Sequence, residues 1–320
     1  MAQIINLDKL DNDLFKNSIN FIVIGFFDGV HKGHKEIIKK CVKRSRIYNG
    51  VSIALTFDNP PINILNKENI KKLLISFDEK AKLISEIGID YIVSVNFNEE
   101  FSNLSEYEFC KKILLDKLNA FEVFVGENFR FGKDAKGDFN FLKSFFKNYN
   151  VKVYSIKLLK INNEIISSTK IRSFYKNGDI DKVKLFLGRY PTISGIVQKG
   201  FSRGRLLGFP TANIIVDDLY MLPKNGVYIG RAILENEKRS HPALINIGNN
   251  PTFGYRDTII EVFILNFYKD IYNKSLTVRL MKYLRQEKKF NSSEELSFQI
   301  NEDIKKAKIF FSSLRKNNKN

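Results

Sequence analysis

The chain has 320 residues, a length that suits two domains of ordinary size. Hydrophobic residues make up 43% and charged residues 27%, the balance of a folded protein and not of a disordered one. The 52 basic and 35 acidic side chains leave a net charge of +17, a feature compatible with nucleic acid, an anionic membrane or phosphorylated small molecules.

Three observations narrow those classes. The lysines come singly or in pairs among Asn, Ile and Phe, with no block of five like charges, so they read as solvated surface and no nucleic-acid partner is expected. No run of about 18 apolar residues is present, which excludes a transmembrane helix and a membrane partner. Met1 to Leu10 lacks a basic stretch followed by an apolar one, so no secretory leader is expected. The two cysteines, Cys41 and Cys110, exclude a disulfide framework and fit a reducing, cytoplasmic setting.

The first half alternates strand and helix patterns. Phe21–Gly25 is a short apolar run, Lys32–Ile47 has helical periodicity with Ile37, Ile38, Cys41 and Val42 on one side, and Val51–Phe57 is again strand-like. Helix Asp78–Ile87, strand Tyr91–Val95, helix Glu106–Leu118, strand Phe121–Val125, helix Phe139–Lys147 and strand Val151–Ile156 follow. This order predicts an α/β domain, a doubly wound parallel sheet. After a short helix ending at Leu187, the pattern becomes β-rich: Thr192–Gln198, Ala212–Val216, Gly226–Leu234, Ala243–Ile247, Ile259–Phe267 and Leu276–Leu284. Short strands cut by turn residues predict a small antiparallel β-barrel, closed by a terminal helix from Ser292 to about Arg315 with Glu295 completing a capping box. The expected boundary lies near residue 185, giving domains 1–184 and 185–320.

Gly25-Phe-Phe-Asp-Gly-Val-His-Lys-Gly-His34 spans the end of the first strand and the start of the first helix. A helix N-terminus after a parallel strand offers free N–H groups to a phosphate, glycines permit close approach, and His31 and His34 add directed donors. That suits an ATP whose α-phosphorus is attacked by another phosphate, where orientation and charge stabilisation are the whole task. Capping or metal ligation is the other reading of the two histidines. A zinc site would need further ligands, and His241 is the one remaining histidine. Gly126 to Asp134 imitates a P-loop but is one residue too long and lacks the Ser or Thr.

In the second half, Gly195-Ile-Val-Gln-Lys-Gly-Phe-Ser-Arg-Gly-Arg-Leu-Leu-Gly-Phe-Pro-Thr-Ala-Asn213 reads as strand, glycine-rich turn and strand. Gly200, Gly204 and Gly208 would let backbone N–H groups cradle phosphates. Thr211 and Asn213, two residues apart, would present neutral oxygens on one strand face to Mg²⁺. An ordinary turn followed by polar strand residues is the simpler reading of the same string.

The first motif, Gly-x-Phe-Asp-Gly-x-His-x-Gly-His, is the signature of the Rossmann-like HxGH nucleotidyltransferases. With the rest of the chain it resembles the bacterial bifunctional riboflavin kinase/FAD synthetase family. Thr56-Phe-Asp58 is similar to that family's flavin-side loop, Val125 to Gly132 to its nucleotide segment, and Ile166-Ser-Ser-Thr-Lys-Ile-Arg172 to its phosphate-closing loop. Gly195 to Asn213, Gly226-Val-Tyr228, Asn246 to Phe253, Asp270-Ile-Tyr272 and Leu284 to Phe290 resemble its kinase domain.

The resemblance implies that His31, His34, Gly25, Phe27, Asp28, Gly33, Asn128, Ser167, Ser168, Thr169 and Arg172 serve ATP in the first domain, and Thr56, Phe57 and Asp58 the flavin. In the second it implies Gly200, Arg203, Gly204, Gly208 and Pro210 for ATP, Thr211 and Asn213 for Mg²⁺, and Glu261 as base. Riboflavin would become FMN in the second domain and FAD, with release of pyrophosphate, in the first. Two departures stand out. Asn59-Pro-Pro61 replaces Pro-His-Pro, and Glu261-Val-Phe263 with Asn266-Phe267 replaces Glu-x-His with Asp-Phe. The first leaves open a chain in which only the kinase step is efficient. A basic binding protein on the same scaffold is a remoter alternative.

Overall fold

The computed structural model describes every residue except 61–69, 199–207, 236, 238, 249–258 and 318–320. Its contacts divide the chain into Met1–Ser168 and Thr169–Asn320.

In the first unit six strands form one parallel sheet: β1 (Gln3–Asn6), β2 (Asn20–Ile24), β3 (Val51–Phe57), β4 (Tyr91–Val95), β5 (Ala120–Gly126) and β6 (Lys152–Ile156), in the order β1-β4-β3-β2-β5-β6. Every residue of β2 is buried, which is why it reads as an unbroken apolar run and not as an alternating one. Helix α1 (Lys32–Ile47) buries Ile37, Ile38 and Cys41, the face that its periodicity predicts. Arg44 on α1 donates from Nε to Glu122 Oε2 at 2.9 Å, and Glu122 on β5 is fully buried, so this ion pair fixes the helix over the sheet.

Helices α2 (Phe77–Ser85), α3 (Glu99–Ser102) and α5 (Phe139–Phe146) complete the layers with α4 (Glu106–Glu108), which continues as a π-helix over Phe109–Lys117. That segment was expected as one ordinary helix over Glu106–Leu118. The i→i+5 bond from Leu118 N to Ile113 O, 3.0 Å, shows how its last turn widens instead. Strand β1 has no counterpart among the expected elements: it is four residues long and pairs with β4 at the sheet edge. A short hairpin, β7 (Lys160–Ile161) and β8 (Glu164–Ile165), precedes Ser168.

The second unit is built around a closed antiparallel barrel, in the order β10-β13-β12-β11-β14-β9. Its strands are β9 (Thr192–Gln198), β10 (Ala212–Ile215), β11 (Gly226–Leu234), β12 (Ser240–Gly248), β13 (Ile259–Ile264) and β14 (Ser275–Arg285). Ile214, Tyr228, Ile245, Ile247, Ile260 and Val262 fill the barrel. A second apolar cluster joins Val227, Ile229, Leu244 and Met281 to Ala307 and Phe311 of the terminal helix α8 (Ser293–Asn317). Ser292 Oγ accepts from Glu295 N at 3.2 Å, but the Glu295 carboxylate reaches Asn291 N, one residue earlier than a strict capping box.

Helices α6 (Ser168–Asn177) and α7 (Ile180–Leu187) pack with the barrel, where Tyr175 O accepts from Lys224 N at 3.0 Å. By contacts the chain divides after Ser168, the first residue of α6.

Candidate active sites

Strand order puts the carboxyl end of β2 between those of β3 and β5. The chain leaves β2 toward β3 and β4, then returns to β5 on the other side, and this reversal opens a crevice at the strand ends. Three expected segments meet there: the turn after β2, Thr56 to Asp58 at the end of β3, and Gly126 to Asn128 after β5.

The turn after β2 is tightly wound. Phe27, Gly29 and Val30 all have left-handed backbones, with φ of +54°, +80° and +38°. For fully buried, β-branched Val30 this is a costly conformation, and strain of this kind concentrates at functional turns. The turn delivers His31 to the N-cap of α1, where its Nδ1 accepts from His34 N at 3.2 Å. A neutral His31 then carries its proton on Nε2. Gly33 leaves space for this ring: a Cβ there would lie 3.2 Å from His31 Cε1.

His34 stacks on His31, with ring centroids 3.5 Å apart and 19° between planes, and meets the Phe27 ring edge-on at 5.3 Å. Its Nδ1 is sealed from solvent with no hydrogen-bond partner. Burial, then the neighbouring charges of His31 and Lys80, hold its pKa well below the ordinary 6.5. The capping reading of His31 is thus correct as geometry. It is also the device that stacks the two rings.

The other expected residues are placed around this turn and beyond it. Asp28 is buried and its Oδ1 accepts from Leu74 N at 3.0 Å, while its carbonyl accepts from Ser168 Oγ at 2.9 Å. Thr56 is fully buried and donates to Phe26 O at 3.2 Å, so its hydroxyl braces the histidine turn. Phe57 packs edge-on against Phe97 at 5.7 Å, and Asp58 keeps one sealed, unpartnered carboxylate oxygen. Asn59, at the altered position, exchanges two 3.1 Å hydrogen bonds with the backbone of Phe97, from Nδ2 to its carbonyl and from its N–H to Oδ1. Its amide therefore anchors the loop mechanically. Asn128 is exposed beyond β5, Ser167 is half-buried just before α6, and Thr169 and Arg172 lie on α6 in the second unit.

One residue of this site escaped the sequence analysis. Lys80 on α2 is only 4% exposed, and its ammonium donates to Phe57 O at 2.6 Å and Phe26 O at 3.2 Å. Loss of solvent lowers its pKa to about 8 against the opposing attraction of Asp28 and Asp58. Its signal was a lysine on the apolar face that also carries Ala81 and Ile84.

In the barrel, Glu261 on β13 stands directly opposite Asn213 on β10 and Asn246 on β12. Directly opposed residues share a face, and here the apolar neighbours Ile260 and Val262 point the other way, into the core. Asn246 Nδ2 donates to Glu261 Oε2 at 3.3 Å. The Oδ1 atoms of Asn213 and Asn246 are sealed and unpartnered. Glu287, just after β14, joins the row: loss of solvent and repulsion from Glu261 raise its pKa, with an Asn246 hydrogen bond opposing them. Its carboxylate lies against Gly248, where a Cβ would be 1.9 Å from Glu287 Oε1 and would displace it.

Thr211 is exposed and immediately precedes β10, one residue short of the strand expected to carry it. Pro210 is exposed beside it, and Gly208 has a left-handed φ of +82°. Gly200, Arg203 and Gly204 lie outside the described residues, as does Pro61. A cavity of about 490 Å³ at the start of α8 is lined by Lys288, Phe290, Glu294 and Phe298 among others. Among the described residues no helix is long and apolar enough to cross a membrane, and no cluster of three His, Cys, Asp or Glu could hold a metal.

Comparison with known proteins follows this division. Residues 16–170 match the family model described as FAD synthetase, and residues 187–311 match that described as riboflavin kinase. The chain is 37% identical over 298 residues to a bifunctional riboflavin kinase/FMN adenylyltransferase of Buchnera aphidicola from Schizaphis graminum, covering 92% of this chain and 95% of that one. It is 33% identical over 302 residues to the protein of that description from Bacillus subtilis, covering 92% and 93%. Among solved structures, one titled a macrolide-efflux protein from Streptococcus pneumoniae superposes with a TM-score of 0.85 at 26% identity, covering 95% of this chain and 98% of that one.

Proposed function

The chain belongs to the bifunctional riboflavin kinase/FMN adenylyltransferase family and makes FMN and FAD from riboflavin and ATP; from that premise we propose which of its residues carry each step. Adenylyl transfer is assigned to residues 1–184 and the kinase step to residues 185–320.

In adenylyl transfer a phosphate oxygen of FMN attacks the α-phosphorus of ATP, the bond to the bridging oxygen breaks, and pyrophosphate leaves with the electron pair. No proton has to move, so the residues must align the groups and stabilise spreading charge. We assign alignment to the first turn of α1 and charge stabilisation to His31 and His34. The stacked histidines at the sheet's reversal point carry this reading, because one ring caps the helix while the other is kept neutral and desolvated. Asn128, Ser167, Thr169 and Arg172 are proposed ATP contacts; Phe57 and Asp58 are proposed flavin contacts. Gly25, Gly33, Asp28, Ser168 and Thr56 shape and brace the turn.

In the kinase step the ribityl 5′-hydroxyl of riboflavin attacks the γ-phosphorus, its proton passes to Glu261, and ADP leaves. Asn246 orients that carboxylate. Mg²⁺ fits beside Asn213, whose sealed, unpartnered Oδ1 is a neutral oxygen suited to a hard cation, with Thr211 as the adjacent ligand. When bound, the ion neutralises charge on the transferring phosphates. The flavin ring of riboflavin is proposed to lie in the open groove beside Phe290 and Phe298. A cytoplasmic location is part of the proposal, supported by Cys41 and Cys110, which are both free and buried.

The test is direct. Purified protein with riboflavin and Mg-ATP should yield FMN and then FAD, resolved by chromatography. FMN supplied alone should give FAD and pyrophosphate. FMN without FAD would leave the kinase assignment standing and remove the adenylyltransferase one.

A further inference from the structure

We infer that Lys80 is a positioning residue for adenylyl transfer, clasping the turn that carries the histidines to the flavin-side loop through the carbonyls of Phe26 and Phe57. The inference rests on the adenylyltransferase reading of the first unit.

A buried ammonium is expensive unless its hydrogen bonds are made, and Lys80 spends two of its three donors on backbone carbonyls from two different strand ends. Phe26 lies inside the turn that delivers His31. Phe57 lies between Thr56 and Asp58, at the end of β3. Phe26 O also accepts from Thr56 Oγ1 at 3.2 Å, so one carbonyl is held by two donors. The Lys80 stem reaches this point between the rings of Phe26 and Phe77, with the ammonium 4.7 Å and 5.2 Å from their centroids.

A hydrocarbon side chain would fill the same space at lower cost, so packing alone does not account for a lysine here. Three groups face its charge: Asp28 from the turn after β2, Asp58 after β3, and His34 on α1. The two carboxylates offset it and the histidine is discouraged from protonation by it. Lys80 thereby fixes the spacing between the loops that are to hold the two reacting phosphates and keeps His34 uncharged. Its lowered pKa, about 8, places loss of the ammonium within an accessible pH range.

The experiment compares the intact chain with Lys80→Met and Lys80→Arg. FAD formation from FMN and ATP is read as kcat and KM, and FMN formation from riboflavin serves as the internal control. Lys80→Met should lower kcat/KM for FAD formation by about 100-fold, the effect of an ångström-scale misplacement, with kinase rates unchanged. Wild-type activity should fall as pH rises through about 8, and Lys80→Arg, which keeps its charge, should recover part of the Met loss and lack this alkaline limb. Full activity in Lys80→Met would overturn the inference, as would the same alkaline limb in both charged forms. Loss of circular dichroism or of ATP binding along with activity would assign Lys80 to folding and equally overturn it. A wild-type chain that forms FMN but no FAD would instead remove the reading on which the inference rests.

Discussion

The imidazoles of His31 and His34 lie face to face, 3.5 Å between centroids, with the first accepting a hydrogen bond from the backbone N–H of the second. Two rings so close cannot both be charged at modest cost, and burial and Lys80 bias His34 further toward neutrality. The acid limb of FAD formation should therefore fall below the ordinary histidine value of about 6.5. A pH profile of kcat/KM measures it, and an acid limb at or above that value would contradict the arrangement. His34→Ala should cost about 100- to 1,000-fold in this step, as for loss of one preorganised donor, while FMN formation proceeds normally.

Glu261 sits between two asparagines and receives a hydrogen bond from one of them. Glu261→Gln keeps the shape and removes the proton acceptor. Riboflavin phosphorylation should drop by about 100- to 10,000-fold, with FAD formation from supplied FMN intact. Loss of both steps in a folded variant would show that the two sites are not assigned to the correct units.

Lys80 also makes a prediction about stability. Its folded pKa, about 8, lies below the ordinary lysine value of 10.5, so the unfolded chain binds the extra proton between these limits. The fold carries a penalty of about 3 kcal/mol below pH 8, which is relieved as pH rises toward 10.5. Urea midpoints of the wild type relative to Lys80→Met should rise across that window. A constant difference from pH 7.5 to 10 would show that the ammonium is not desolvated.

Asp303 is 1% exposed and accepts from Arg285 Nε at 2.8 Å and Gln299 Nε2 at 3.0 Å. It ties α8 to the end of β14, immediately before Glu287. Asp303→Ala strands a half-sealed guanidinium and should destabilise the second unit by about 3–5 kcal/mol, measured by chemical denaturation.

Much of this was legible beforehand, for reasons that differ by residue. The apolar run of β2 and the glycine-histidine turn after it are legible because both signals are local. The barrel was legible from its spaced strands. The widened helix over Phe109–Lys117 was not, since its apolar spacing barely differs from that of an α-helix. Lys80 was passed over because a single lysine reads as surface until its helix is docked. Asn59-Pro-Pro61 reads as a lost histidine, and only the fold brings the backbone of Phe97 within reach of the Asn59 amide. Glu287 lies beyond the end of β14, and only the fold brings its carboxylate to Asn246 and Gly248.

Each unit has its own apolar core, yet both are translated as one polypeptide. Producer and consumer of FMN are consequently present in equal number in every cell that expresses the chain. Changing the amount of this chain cannot raise one of its activities over the other. The ratio of FMN to FAD that the chain yields must be set by the rate constants and product affinities of the two sites, and by how fast other proteins withdraw each flavin.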